Sequence, residues 1–215
     1  MKIAVIQGSS QKVKNNLLYE CCVKAVTDQG HEVINFGVYE DEEIELSYVE
    51  TALLISMLLV SKTVDFVITG CSSGQGMMLA CNSLPGVMCG YVENPSDAYL
   101  FGRINDGNAI AYPLGLNFGW AGEINLQNTL NNLFSEPFGI GYPPKAAARK
   151  RRDSEILKQI YAVSKLDLPA LWPLLDDELK AHALSRHLVV DAILENGSAE
   201  FKEMLKGWLK DADQK

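Results

Sequence analysis

The segment of this chain richest in potential chemistry reads Gly70-Cys71-Ser72-Ser73-Gly74-Gln75-Gly76-Met77. Small residues let a backbone approach a ligand closely, and successive N–H groups in such a loop form a nest that holds an anion. A helix opening at the end of the loop adds partial positive charge. That charge favours the thiolate of Cys71, the reactive form of the side chain. The same placement also suits a small core residue capping a strand, so the residues by themselves leave both roles for Cys71 open. Other phosphate-binding motifs do not fit. A dinucleotide fingerprint needs its last glycine where Leu79 stands and belongs after the first strand, not the third. The Gly-Lys-Ser/Thr of a P-loop is missing, and a phosphatase loop would need arginine where Met77 stands.

Alternating elements must hold this loop in place. Short apolar runs at 3–6, 31–36, 65–69, 87–92 and 109–114 predict strands, and amphipathic stretches at 14–29, 46–62, 75–83, 96–104 and 122–134 predict helices between and after them. The run at 65–69 is continuous and rich in β-formers, as a strand covered on both faces should be. Five βα units in a row predict an α/β fold, a three-layer α/β/α sandwich with a five-stranded parallel Rossmann-like sheet. Ligands bind beyond the carboxyl ends of such strands, which directs attention to the loops after Ile6, Phe36, Thr69, Val92 and Leu114. A Gly/Pro-rich stretch, PFGIGYPP at 137–144, precedes KAAARKRR, which carries five of the 19 basic residues. The sequence divides into an α/β domain over 1–152 and a helical C-terminal extension over 153–215. Leu171, Trp172, Leu175 and Trp208 are the extension's candidates for burial against the core or a second subunit.

Composition narrows the class. The chain has 215 residues, 47% of them hydrophobic and 21% charged, which excludes wholesale disorder. A net charge of −8 argues against a nucleic-acid or anionic-membrane partner, though a few local cations would suffice for a small anionic substrate. The apolar run in MKIAVIQGSS is four residues long, too short for a signal-peptide core, and no run approaches a membrane span. A cytoplasmic protein is the expectation. The five cysteines (Cys21, Cys22, Cys71, Cys81 and Cys89) are odd in number and sit in apolar surroundings, which suits reduced thiols. Without a CxxC or Cys/His cluster, no structural metal site is expected.

CSSGQGMMLACNSLPGV resembles the C-G-T-G-x-G-x-x-x-A-A-N-K-x-P-G-I signature of the ribose-5-phosphate isomerase type B and galactose-6-phosphate isomerase family. Asn105-Asp106-Gly107-Asn108 before an apolar strand is similar to that family's H-N-D-x-N-V-L, and GHEVINFG to its second strand. The likeness spans residues 1 to about 157, and the extension suits a longer subgroup. The resemblance implies a cofactor-free, metal-free aldose–ketose isomerisation of a phosphorylated sugar through an enediolate. It implies that Cys71 moves the proton between C1 and C2 and that Ser73 hydrogen-bonds the sugar oxygens. It further implies that the backbone amides of Ser72, Gly74, Gln75 and Gly76 hold the developing oxyanion. Family sites usually form at a dimer interface, so the resemblance implies a homodimer or higher homo-oligomer. Asn105 and Asn108 match residues given by the neighbouring subunit, and Tyr48 matches a D-Y-P tyrosine. Arg149 and Arg152 fall where the family grips phosphate, a role that suits arginine's bidentate fork.

The departures are equally informative. Ile104 replaces the histidine that opens the sugar ring, small residues around Gly8, Ser9 and Ser10 replace an Asp-His pair, and Gly115 stands where an arginine is expected. The D-Y-P motif reads Ser47-Tyr48-Val49. This pattern suggests a substrate that needs no ring opening, such as a four-carbon sugar phosphate. Two other readings remain: a non-catalytic sugar-phosphate binding protein, and one subunit type of a hetero-oligomeric isomerase.

Overall fold

Strand β3 (Phe66–Cys71) is the centre of the molecule, and every one of its residues is buried. In the computed structural model, which describes residues 1–213, β3 pairs parallel with β1 (Lys2–Val5) on one side and with β5 (Ala109–Pro113) on the other. β2 (Glu32–Asn35) continues the sheet beyond β1, and β4 (Cys89–Tyr91) closes it beyond β5. The order is β2-β1-β3-β5-β4, so the five-stranded parallel sheet expected from the βα alternation is present. Gln214 and Lys215, the end of the expected extension, lie outside the described residues.

Helices cover both faces of the sheet. α1 (Asn15–Val26), α4 (Pro95–Leu100) and α5 (Gly122–Leu133) bury Leu18, Cys22, Ala98, Leu126 and Leu130 against Ile3, Val5 and Ile68. α2 (Tyr48–Val60) and α3 (Gln75–Ser83) bury Leu53, Leu58, Met77 and Cys81 against Ala4, Ile6 and Val67. Two stretches differ from expectation. The segment after β1 coils into a 3-10 turn, Ser9–Lys14, before α1. The helix expected over 96–104 ends early and continues as one π turn, Phe101–Asn105, stopped by Asp106 at φ 52°. Within that wider turn Arg103 is fully buried; its Nη2 donates to the Leu133 carbonyl at 2.8 Å and its guanidinium packs on the rings of Tyr99 and Phe138.

The extension begins with α6 (Ala147–Val163), which runs unbroken through the expected domain boundary. It is held by one polar face: Ser154 Oγ donates to the Asn105 carbonyl at 3.2 Å, and Tyr161 Oη donates to the Leu84 carbonyl at 2.6 Å. Lys158 pairs with Asp106. α7 (Leu168–Leu171), α8 (Asp177–Ser185), α9 (His187–Asn196) and α10 (Ala199–Asp213) follow. They bury Leu168, Leu184, Ile193, Phe201 and Leu205 in the same core cluster as α2. Trp172, 7% exposed, stacks on Trp208 at 4.0 Å, and Leu171 and Leu175 pack partly buried beside the cluster. The burial expected of these four residues is therefore found, and it explains α2. A helix apolar around its whole circumference must be covered on all sides, and here the sheet covers one side of α2 and the extension the other.

Arg186, between α8 and α9, clamps the loop that leads into α2. Its guanidinium forks onto both oxygens of Glu42 and donates to the Phe36 carbonyl at 2.9 Å. Burial acting alone would raise the Glu42 carboxyl, but hydrogen bonds from Arg186 and from the Tyr39 N–H hold it below its ordinary range. A carboxyl lowered in the folded state contributes stability above its unfolded pKa and loses it as pH falls through the folded value.

Two outcomes follow. A chain ending at Lys165 should be insoluble, or should melt far below the full chain, because α2 loses its outer cover; a soluble truncated chain of equal Tm would contradict this packing. Arg186→Met should lower unfolding stability at pH 7 by about 3–5 kcal/mol, the range for breaking a buried pair. It should also remove part of the acid-side decline measured by urea titration between pH 7 and pH 3; an unchanged decline would show that the clamp carries no linkage.

Candidate functional site

The site lies where the chain reverses its direction of travel across the sheet. β1 leads through α1 to β2 on one side, whereas β2 leads through α2, on the opposite face, to β3 on β1's other side. In such sheets a crevice opens at this point beyond the carboxyl ends of the strands. The turn after β1 and the end of β3 meet there: the Gly8 N–H donates to the Gly70 carbonyl at 3.0 Å. A Cβ on Gly8 would stand 3.8 Å from Cys71 Cβ. A cavity of about 480 Å³ occupies the crevice, walled by Gly8, Ser9, Ser10, Tyr48 and Cys71 together with Glu45, Leu46, Ser47, Glu50 and His182.

Cys71 is 9% exposed and forms part of that wall. The Gly74 N–H donates to its Sγ at 3.2 Å, so a backbone dipole stabilises negative charge on the sulfur. This geometry needs glycine. Gly74 caps α3 at φ 74°, and a Cβ there would meet Tyr91 Cε2 at 2.9 Å and Pro113 N at 3.0 Å. Ser72 is exposed beside it, accepting from Gln11 Nε2 at 3.0 Å and donating to Ser10 Oγ at 3.2 Å. The Tyr48 ring lies over Gly76, whose Cβ would sit 3.6 Å from it.

The residues singled out in the sequence are thus divided by the fold. Ser9, Ser10, Tyr48 and Cys71 share one cavity, with the amides of Ser72, Gly74, Gln75 and Gly76 on the adjoining loop. Ser73 is half-buried on the same turn, outside the cavity wall, and Gln75 is exposed. Asn105 opens into a second cavity of about 550 Å³ walled by Tyr91, Leu157 and Tyr161 among others. The Asn108 amide bridges a turn, accepting from Met88 N and donating to the Gly86 carbonyl, both at 2.7 Å. Arg149 and Arg152 are exposed on the first turns of α6 and line neither cavity. Gly115 is packed close: its N–H donates to the Ser72 carbonyl at 2.9 Å, and a Cβ would stand 3.0 Å from that oxygen. A side chain there would require the Ser72 backbone or Gln11 to give by a few tenths of an ångström.

Sequence reasoning missed Glu50 and His182. Glu50 had a legible signal, the Ser47-x-x-Glu50 spacing of a capping box. Ser47 N donates to Glu50 Oε2 at 2.6 Å, and Glu50 N donates to Ser47 Oγ at 3.2 Å. The other carboxylate oxygen, Oε1, meets Nδ1 of His182, which lies 132 residues away in sequence. This hydrogen bond raises the His182 pKa above its ordinary value; the same contact, against the opposing effect of burial, lowers that of Glu50. Among the described residues no cluster of three or more His, Cys, Asp or Glu side chains is placed to hold a metal ion, and no helix is long and apolar enough to cross a membrane.

Comparisons with known proteins identify the family. Residues 10–125 match the LacAB_rpiB family, described as ribose/galactose isomerase. A 4-deoxy-L-threo-5-hexosulose-uronate ketol-isomerase, crystallised with a tartrate, is similar at 39% identity over 98% of this chain and 100% of its own, with a TM-score of 0.93. A ribose-5-phosphate isomerase, LacAB_rpiB, from Vibrio parahaemolyticus is 36% identical over 97% of this chain and 99% of its own, with a TM-score of 0.91. The ribose 5-phosphate isomerase rpib of Thermotoga maritima shares the fold at 24% identity over 72% of this chain and 97% of its own, with a TM-score of 0.54. A search of curated proteins returned no significant match. With its family signature spread over the switch-point crevice, this chain belongs to the ribose/galactose isomerase family and is a sugar isomerase of that type.

Proposed function

We propose that the protein interconverts an aldose and a ketose through an enediolate, with Cys71 as the base. One observation carries this reading: the Cys71 sulfur stands in the wall of the switch-point cavity with the Gly74 N–H aimed at it at 3.2 Å. The thiolate takes a proton from the carbon beside the substrate carbonyl and returns it to the neighbouring carbon. The intermediate's oxyanion is held by amides of the loop from Ser72 to Gly76, with Ser73 as a further donor. Preorganised donors of this kind contribute about 3–4 kcal/mol each. Ser9, Ser10 and Tyr48 complete the wall that faces the sugar.

The substrate is proposed to be an open-chain sugar with an anionic end group, first of all a hexosulose uronate. Two observations support this. Ile104 replaces the ring-opening histidine, and Gly115, tightly packed against Ser72, stands in place of the family's arginine. The similarity to the uronate ketol-isomerase covers both chains almost completely, extension included. A phosphorylated sugar is the second reading, favoured by the similarity to the Vibrio protein. In that case Arg149 and Arg152 are the phosphate ligands.

Both readings place the working site between two copies of the chain. Asn105 and Cys71 open into different cavities of one chain. α6 is held by its polar face and leaves Ile156, Leu157, Ile160 and Val163 uncovered. A second copy seated on that face would cover the stripe and bring Asn105 and the arginines to its neighbour's Cys71.

In D₂O, the protein should incorporate deuterium into one or more members of an NMR panel of 4-deoxy-L-threo-5-hexosulose uronate and tetrose, pentose and hexose phosphates. Cys71→Ala should abolish exchange and slow isomerisation by about 10³-fold, within the span of a lost acid–base group, with binding retained; a variant that still exchanges would refute the base assignment. Leu157→Glu combined with Ile160→Glu should give a folded monomer by light scattering with activity lost. A monomer as active as the parent would refute the shared site.

A further inference from the structure

The C-terminal extension does more than cover α2. We infer that His182, delivered by α8 and aimed by Glu50, is a second acid–base residue of the Cys71 site, relaying the proton between the two substrate oxygens. This rests on the ketol-isomerase reading above and adds to it a residue outside the matched 10–125 region.

Three observations carry the inference. His182 and Cys71 line the same cavity, although they come from opposite ends of the chain. The imidazole is held from behind: Nδ1 is taken by Glu50 Oε1, and Glu50 is itself locked by the Ser47 capping box at the start of α2. Its helix is fixed as well, since Ala183 and Leu184 are buried in the core cluster and Arg186 is tied to Glu42 and Phe36. A Glu-held histidine keeps one tautomer and presents Nε2. No described side chain hydrogen-bonds that nitrogen. Once Ile104 stands in place of the family histidine, His182 is the only histidine on the wall of this cavity.

The step balances. Cys71 thiolate removes the carbon-bound proton, and the electron pair of the broken C–H bond becomes the double bond of the enediolate. The oxyanion left by the carbonyl, held by the loop amides, then takes the Nε2 proton of the imidazolium to give the enediol. The neutral Nε2 then accepts the proton of the adjacent hydroxyl as the carbonyl re-forms there, and Cys71 returns its proton to the other carbon. Both groups end as they began.

The ionisable groups around His182 are Glu50 and Tyr48 from α2, Glu45 from the loop before it, Cys71 from β3, and Asp176 and Glu178 at the start of its own helix. Glu50, through its hydrogen bond, and Glu178 favour the imidazolium, so activity that needs it falls as pH rises through the His182 titration. His182→Gln should lower kcat by about 10²-fold with KM little changed, the lower end for a lost acid–base group, and should abolish the alkaline limb of the kcat/KM profile. Glu50→Gln keeps the capping box, because glutamine serves there too, and should move that limb to lower pH. A test without substrate uses the ratio of iodoacetate to iodoacetamide alkylation rates at Cys71, in which the thiolate fraction cancels. A cation in the cavity favours the anionic reagent, so His182→Gln should lower this ratio about fivefold at pH 6. Wild-type kcat, alkaline limb and alkylation ratio in His182→Gln would overturn the inference while leaving Cys71 as base. A fully active Cys71→Ala enzyme would instead overturn the assignment of Cys71 as base on which the inference rests.

Discussion

Gly74 is the constraint on which the geometry of the Cys71 loop depends. Its positive φ turns the chain from β3 into α3 within three residues of Cys71, and its missing Cβ lets the turn lie against Tyr91 and Pro113. This path aims the Gly74 N–H at the Cys71 sulfur. The parallel register of β1, β3 and β5 supplies the platform, because it brings Gly8, Cys71 and Gly115 to one edge of the sheet.

The second constraint is the treatment of α2. A helix that is apolar all round needs two covers, and the chain provides the outer one from its own C-terminal helices. That packing has a chemical consequence. The helices that shield Leu53 and Leu58 also deliver Arg186 to Glu42 and His182 to Glu50. The loop between β2 and α2, which gives Glu45, Leu46 and Ser47 to the cavity, is thereby pinned by the extension. Stability and site architecture share the same residues.

Much of this was legible in advance. The five strands, their helices and the parallel sheet follow from apolar runs of the right length and period, and the glycine-rich loop announces itself by composition. Cys71, Ser9, Ser10 and Tyr48 were found through the loop and the family signature. His182 was not, because nothing local marks it: its neighbours Ala181 and Ala183 read as ordinary helix. Glu50 was visible only as a cap, since its second oxygen acts on a residue 132 positions away. Gly115 read as a missing arginine; its close approach to the Ser72 carbonyl became apparent only in three dimensions.

What the amino-acid order determined alone is local in nature: hydrophobic period, turn chemistry, caps, and a loop whose small residues can approach an anion. These depend on neighbours within a few positions, so they survive without a fold. Strand order, the switch point between β1 and β3, the separation of Asn105 from Cys71 within one chain, and the arrival of His182 at the cavity were decided by tertiary structure. Each depends on which surfaces bury against which, and burial couples residues by distance in space, whatever their separation along the chain.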